Sequence, residues 1–111
     1  MNSISIRKTE IFDDWIKHLA DINAKARINM RVQRIAQGNF GDVASVGYGI
    51  WEMRIHYGPG YRVYYCRIGS DIVLLLCGGD KSSQHNDILR AKRIMAEVKS
   101  AKDAGDKEYW R

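Results

Sequence analysis

Residues 50–81 have the sequence IWEMRIHYGPGYRVYYCRIGSDIVLLLCGGDK, and this stretch decides the fold. It contains three runs rich in aromatic and β-branched residues, which are typical of β-strands. The runs are separated by Gly58-Pro59-Gly60 and by Gly69-Ser70, both of which are turn-forming sequences. The stretch is therefore predicted to form a three-stranded antiparallel meander.

The lengths of the turns set the register of this meander. With a two-residue turn at residues 69–70, Arg62 lies opposite Cys77. With a turn at residues 58–60, His56 lies opposite Arg62. A slip of one residue would bury the arginines, which favours this register.

Because side chains alternate between the faces of a strand, the register predicts one charged face and one apolar face. The charged face is predicted to carry Arg54, His56, Arg62, Tyr64, Leu75 and Cys77, followed by Lys81 beyond the last strand. The apolar face is predicted to carry Met53, Ile55, Tyr57, Tyr61, Val63, Tyr65, Leu74 and Leu76.

The length and composition indicate one globular domain over residues 1–111, because 45% of the 111 residues are hydrophobic and 28% are charged. The net charge of +5 favours an acidic partner, either nucleic acid or an acidic protein. No apolar run is long enough to span a membrane, and the N-terminus lacks the apolar segment of a signal peptide. The sequence therefore predicts a cytoplasmic protein without a membrane partner.

The cysteine and histidine pattern predicts neither a disulfide nor a metal site. In the predicted register Cys66 and Cys77 are too far apart to bridge, so both are expected to be reduced and buried. No spacing of cysteine and histidine is typical of a zinc site. No cofactor is expected.

Helices are predicted on both sides of the meander in the sequence. Residues 3–7 alternate like a strand, and Thr9 is a candidate N-cap for an amphipathic helix. After a break at residues 21–23, a second helix is predicted over residues 24–37, and residues 39–49 are predicted to be a loop or an irregular strand. Ser82 or Ser83 is expected to cap a last helix over residues 84–99.

The predicted order is strand, helix, helix, strand, strand, strand, helix (β-α-α-β-β-β-α). This order indicates an α+β fold with the helices on one face of a mainly antiparallel sheet. Residues 100–111 are predicted to be a mobile tail, although Tyr109 and Trp110 are unusual residues for one.

Arg27, Arg31 and Arg34 recur on one strip of the second helix. Such a strip is ordinarily a solvated helix face. The alternative is a docking strip for nucleic acid or for an acidic partner.

The chain resembles the bacterial RelE/ParE toxin superfamily, and more narrowly the HigB-like, phage-related addiction module killer proteins. The positions that carry the resemblance are Trp51-Glu52-Met53-Arg54-Ile55, Tyr61-Arg62-Val63 and the run from Val73 to Lys81. The resemblance extends over roughly residues 4–99 and implies a RelE-like fold.

The resemblance also implies the toxin of a type II toxin–antitoxin system, whose partner is a helix-turn-helix antitoxin that binds operator DNA. In the RelE and HigB branches the toxin is a metal-independent endoribonuclease that cuts mRNA on the ribosome. In the ParE branch the same fold inhibits DNA gyrase, and other members are inactive proteins that retain antitoxin and operator binding. All three functions stay open at this point.

The chemistry of RNA cleavage suggests roles for the residues of the charged face. Arg54 and Arg62 are predicted to bind the phosphate, because a guanidinium matches two phosphate oxygens. Lys81 is predicted to be a second phosphate contact or an acid–base group, and His56 to transfer a proton. Tyr64 is predicted to assist or to stack on a base.

Three arginines and a second histidine complete the candidate set. Arg27, Arg31 and Arg34 are predicted to bind substrate, and His85 is a weaker proton-transfer candidate. The structural alternatives are an Arg54–Glu52 ion pair, an exposed His56 without a role, a packing role for Tyr64 and an exposed loop lysine at position 81. Tyr109 and Trp110 are the nearest candidates for a general acid late in the chain.

Overall fold

The computed structural model describes residues 3–103, with side chains described for residues 3–100. The elements are β1 (Ser5–Lys8), α1 (Glu10–Lys17), α2 (Ile22–Ala36), β2 (Val43–Gly47), β3 (Ile50–Ile55), β4 (Tyr61–Ile68), β5 (Ile72–Asp80), a 3₁₀ turn (Lys81–Ser83) and α3 (Gln84–Asp103). The strands form one sheet in the order β1-β5-β4-β3-β2. β1 runs parallel to β5, and every other pairing is antiparallel.

The predicted α+β class with its mainly antiparallel sheet is confirmed. Of the segment predicted to be a loop or an irregular strand, Val43–Gly47 forms β2, an edge strand paired with β3. α3 continues to Asp103, beyond its predicted end at residue 99. Tyr109 and Trp110 lie outside the described residues.

Both faces of the sheet are covered by helices, so the prediction that all helices share one face was wrong. α1 and α2 pack on the face that carries Met53, Val63 and Leu75. α3 packs on the opposite face, over Cys66 and Leu74. The run VLLLC in β5 is apolar at consecutive positions, and such a strand must be buried on both sides.

None of the helices described is long and apolar enough to cross a membrane.

The turn between β3 and β4 is longer than predicted. The strands end at Ile55 and begin again at Tyr61, and the turn is closed by a hydrogen bond from Gly60 N to Tyr57 O of 3.0 Å. Arg54 therefore lies opposite Arg62, rather than His56 opposite Arg62. Because the shift is two residues, every side chain in these strands keeps its predicted face.

The turn between β4 and β5 has three residues instead of two, since Ile68 pairs with Ile72. This shift of one residue exchanges the faces of β5. Leu74 lies on the α3 face and Leu75 on the α1–α2 face, the reverse of the prediction. A bulge then sets Cys77 opposite Tyr64 rather than opposite Arg62.

Both cysteines are free and buried, as predicted. Burial raises the pKa of Cys66 to about 11. It also raises the pKa of Cys77 to about 12, with a smaller contribution from the nearby Asp87 carboxylate. Both thiols are therefore neutral and unreactive near neutral pH.

Side-chain caps begin each helical segment. Thr9 Oγ1 accepts a hydrogen bond from Phe12 N at 3.1 Å, which confirms the predicted N-cap of α1. Asp21 caps α2 in the same way. At the third helix the prediction of a serine cap was wrong, because Asp80 accepts from Ser82 N at 2.8 Å and begins the 3₁₀ turn that leads into α3.

Gly78 and Gly79 allow helices to approach β5 from both sides. A Cβ on Gly78 would overlap the ring of Trp15 in α1. A Cβ on Gly79 would overlap the carboxylate of Asp87 and lie 2.8 Å from Ser83 Oγ. Because adjacent residues face opposite sides of the sheet, these two glycines set the depth at which α1 and α3 dock.

Gly78→Ala should lower the free energy of unfolding by about 1–3 kcal/mol, because the ring of Trp15 must move to admit a methyl group. Chemical denaturation measures this loss. Gln33→Ala, a substitution on the exposed face of α2, is the matched control and should change stability by less than about 0.5 kcal/mol. A Gly78→Ala protein as stable as the wild type would contradict the close contact between α1 and β5.

Candidate functional site

A buried carboxylate organises the charged face of the sheet. Glu52 in β3 is 1% exposed. Its Oε1 accepts hydrogen bonds from Arg62 Nη1 at 2.7 Å and from Arg54 Nε at 3.1 Å. Its Oε2 accepts from Gln84 Nε2 at 2.9 Å and from the Tyr64 hydroxyl at 3.1 Å. Two donors on each oxygen saturate a carboxylate.

These donors keep Glu52 ionised. Burial alone raises the pKa of a carboxyl group, and it is the largest single effect on Glu52. The hydrogen bonds from Arg54, Gln84 and Tyr64 and the charge of Arg62 together outweigh burial, so the pKa of Glu52 lies below its ordinary value of 4.5. The cluster thus holds two guanidinium groups around one carboxylate and stays net positive.

Arg54 and Arg62, the predicted phosphate ligands, are neighbours, and both are held by Glu52. The Arg62 side chain is only 15% exposed, and its buried Nε has no hydrogen-bond partner among the described residues. The Arg54 side chain is 38% exposed, and its Nη1 lies 3.7 Å from Asp42 Oδ1. The expected Arg54–Glu52 pair therefore exists, and each arginine keeps only part of its guanidinium available to a ligand.

An open depression of about 400 Å³, here called the turn hollow, lies beside the β3–β4 turn. It is lined by His56, Tyr57, Gly58, Pro59, Gly60, Arg62 and Lys81. It brings together three of the four predicted catalytic residues, His56, Arg62 and Lys81, and no acidic residue lines it. Lys81 is exposed and opens the 3₁₀ turn. Arg54 does not line the turn hollow but lies directly opposite Arg62 in the sheet.

A second depression, the α2 groove, adjoins the turn hollow and has a volume of about 590 Å³. It is lined by Asn23, Ala26, Arg27, Met30, Arg31, Arg34, Ile55, His56 and Tyr57. His56 and Tyr57 line both depressions, so the two form one continuous basic surface.

The three arginines of α2 have different environments. The Arg27 guanidinium lies 4.5 Å from the centre of the Tyr57 ring, and Arg34 is exposed. Arg31 instead turns inward and donates hydrogen bonds to three backbone carbonyls, those of Arg54, Phe40 and Asp42. Arg27 and Arg34 are available to a ligand, whereas the prediction that Arg31 binds substrate is not supported.

Tyr64 is a structural residue in this fold. Its ring is fully buried on the α3 face, and its hydroxyl donates to Glu52. Burial, and then the Glu52 charge, raise the pKa of Tyr64 far above its ordinary value, so the phenol is neutral. The prediction that Tyr64 stacks on a base is therefore not supported. His85 is exposed in the first turn of α3 and lines neither depression.

Sequence analysis missed one polar contact entirely. His56 Nε2 lies 2.5 Å from Asp42 Oδ2, across 14 positions of sequence. This hydrogen bond is the main reason that the pKa of Asp42 lies below its ordinary value, and the charge of Arg54 adds to the effect. Asp42 lies in a glycine-rich loop without periodicity, so no sequence pattern indicated it. The Arg54–Glu52 pair was among the expectations, but the contacts of Glu52 with Arg62, Tyr64 and Gln84 depend on the strand register and on the docking of α3.

No three His, Cys, Asp or Glu side chains within residues 3–100 are grouped as ligands for a metal ion. The polar groups of the turn hollow are nitrogen donors, and such groups suit an anion such as phosphate.

Glu52→Gln should destabilise the protein by about 3 kcal/mol at neutral pH, because it leaves two partly buried guanidinium groups without a counter-charge. The folded-state pKa of Glu52 is depressed, so its contribution is present above the unfolded pKa and is lost as the pH falls through the folded pKa. The stability difference from the wild type should therefore shrink below about pH 4.5.

Denaturation curves at neutral and acidic pH measure this difference. Asp14→Asn, which removes an exposed carboxylate from α1, is the control and should have little effect at either pH. Equal stability of the wild type and Glu52→Gln at neutral pH would show that the carboxylate does not hold the cluster.

Comparison with known proteins identifies the family of this chain. A protein of Haemophilus influenzae strain Rd, described as an uncharacterized protein, is 49% identical over 96 residues, which cover 86% of this chain and 97% of that protein. No solved structure matches the chain significantly. Residues 14–102, which include Glu52 and both depressions, match the family described as phage-derived protein Gp49-like (DUF891). The chain therefore belongs to the phage-derived Gp49-like family.

Proposed function

We propose that this protein is the toxin of a type II toxin–antitoxin system, of the RelE/ParE superfamily and its HigB-like branch, and that it cleaves mRNA on the ribosome. The observation that carries the proposal is the turn hollow, where Arg62, Lys81 and His56 meet without a lining carboxylate. Membership of a phage-derived family fits the phage-related branch that the motifs resemble.

In the proposed reaction the scissile phosphate occupies the turn hollow. Lys81 and the exposed part of the Arg62 guanidinium contact its non-bridging oxygens and stabilise the charge of the phosphorane. The RNA 2′-oxygen attacks phosphorus, the bond to the 5′-oxygen breaks, and a 2′,3′-cyclic phosphate and a 5′-hydroxyl result. His56 takes the proton of the 2′-hydroxyl, and Lys81 or water protonates the leaving oxygen.

The Glu52 cluster contributes preorganisation to this site. A guanidinium already hydrogen-bonded to a buried carboxylate loses little conformational entropy when a phosphate binds. Arg54, directly opposite Arg62, adds positive charge at the edge of the turn hollow. Gln84 of α3 donates to the other oxygen of the same carboxylate, so the docked α3 helps to hold the carboxylate that positions the arginines.

The α2 groove extends the basic surface away from the turn hollow. Arg27 and Arg34 are exposed there, and the whole chain carries a net charge of +5. Such a surface attracts the RNA backbone with little regard to sequence. A helix-turn-helix antitoxin that binds operator DNA is the proposed protein partner, which places the chain on that DNA through the antitoxin.

His56→Ala and Lys81→Ala should each reduce mRNA cleavage by about 100-fold, because one removes the proton acceptor and the other a phosphate contact. Both residues are exposed, so the fold should be unaffected. The experiment is inducible expression in a bacterial host, with growth followed and mRNA 5′ ends mapped. Lys99→Ala, at an exposed lysine of α3 that lines neither depression, is the control and should arrest growth like the wild type.

Arg62→Ala is a less informative variant than its motif position suggests, because Arg62 is largely buried and its loss leaves Glu52 short of a partner.

Growth arrest by the wild type with in-frame cuts in translated mRNA supports the proposal. Arrest without cuts but with DNA breaks would replace it with gyrase inhibition. Neither arrest nor cuts would leave an antitoxin- or operator-binding member without nuclease activity.

A further inference from the structure

We propose that Asp42 is a positioning residue for His56: it holds the imidazole proton on Nε2 and leaves Nδ1 as the proton acceptor. The observed geometry alone supports the Asp42–His56 hydrogen bond. The role of Asp42 in catalysis rests on the proposed nuclease function.

The geometry of the pair leaves one ring nitrogen open. Asp42 Oδ2 lies 2.5 Å from His56 Nε2, so the two groups are hydrogen-bonded. The His56 side chain is 75% exposed. Within residues 3–100 no hydrogen bond involves its Nδ1. Nδ1 is therefore without a hydrogen bond among these residues, and His56 lines both the turn hollow and the α2 groove.

The position of Asp42 is fixed by its backbone, which distinguishes the pair from a chance contact between surface side chains. Arg54 N donates to Asp42 O at 3.0 Å and attaches the loop to β3. Arg31 donates to the carbonyls of Arg54 and Phe40, at 2.5 and 3.2 Å, and joins the same segments from the side of α2. The Asp42 carboxylate is thus held beside the end of β3.

Gly41 shows how closely this loop is built around Arg31. A Cβ at this position would lie 2.9 Å from Arg31 Nη2, and the residue has φ +68. Both conditions favour glycine. Arg31, which the sequence suggested as a substrate ligand, therefore serves to place Asp42.

The chemistry of the pair follows from the tautomers of imidazole. A neutral histidine carries one N–H, and a carboxylate can only accept, so the proton lies on Nε2 and the lone pair on Nδ1. When the RNA 2′-hydroxyl transfers its proton to Nδ1 and its oxygen bonds to phosphorus, the ring becomes an imidazolium beside the Asp42 carboxylate. Glu52 pairs with Arg54 and Arg62 and offsets part of the positive charge near His56. The charged groups that line the two depressions with His56 are all basic: Arg62 and Lys81 in the turn hollow, and Arg27, Arg31 and Arg34 in the α2 groove. The Asp42 carboxylate thus opposes the repulsion that these groups exert on the imidazolium.

The first test observes the pair without any substrate. In ¹⁵N-labelled protein, the Nε2–H of His56 should give a proton signal slowed in solvent exchange, and Asp42→Ala should abolish it. His18 and His85 are internal references whose signals should not change. Asp71→Ala, at an exposed aspartate of the β4–β5 turn, is the matched control and should leave all three histidines unchanged. A wild-type protein without the slowed signal, or an Asp42→Ala protein that retains it, would overturn the pair.

The second test measures cleavage of ribosome-bound mRNA. Asp42→Ala should lower kcat by about tenfold or more and leave KM unchanged, because the substrate contacts at Arg62 and Lys81 remain. Asp42→Glu should recover part of the loss. An unchanged kcat in Asp42→Ala, with wild-type cleavage intact, would overturn the positioning role. If the wild-type protein shows the slowed Nε2–H signal but cuts no mRNA, the Asp42–His56 hydrogen bond is confirmed and the nuclease function is rejected.

Discussion

The rest of the structure depends on the buried carboxylate of Glu52. An ionised carboxylate is costly to bury unless every lone pair is engaged, and here the donors come from β3, β4 and the first residue of α3. This contact joins the central strands to the helix that covers them. Since the same contact orients Arg54 and Arg62, one interaction both contributes to the stability of the fold and sets the shape of the basic site.

The sequence predicts local structure well because local structure depends on neighbouring residues. Thr9 begins α1 where the capping pattern indicates, and the helix predicted over residues 24–37 is found as α2 over Ile22–Ala36. Register depends on turn length, and one extra residue in the β4–β5 turn exchanged the faces of Leu74 and Leu75. The side of the sheet taken by α3 was also missed, although the consecutive apolar residues of β5 already indicated a strand buried on both faces.

The residue types of the candidate site could be predicted, but their partners could not. Alternation along β3 and β4 set Arg54 and Arg62 on the same face, and the structure places them there. Whether such a side chain is free or held depends on contacts between distant segments. The Asp42–His56 bond joins a loop to the end of a strand, and neither hydrophobic periodicity nor a motif marks Asp42. The same limitation hid the difference between Arg31, which binds carbonyls, and its exposed neighbour Arg34.

Burial and hydrogen bonding separate the basic residues near the sheet edge into two groups. Arg31, Arg54 and Arg62 are partly buried and donate to groups of the protein itself, so their positions are fixed before any ligand arrives. Lys81 is exposed, and His56, although bonded to Asp42 through Nε2, is exposed as well and keeps Nδ1 for a ligand. In the proposed reaction the first group supplies a fixed positive potential and the second makes the contacts that change as bonds form and break. A site that stabilises its transition state by electrostatics needs some charges fixed in advance, since charges that must reorganise during the reaction stabilise the transition state less.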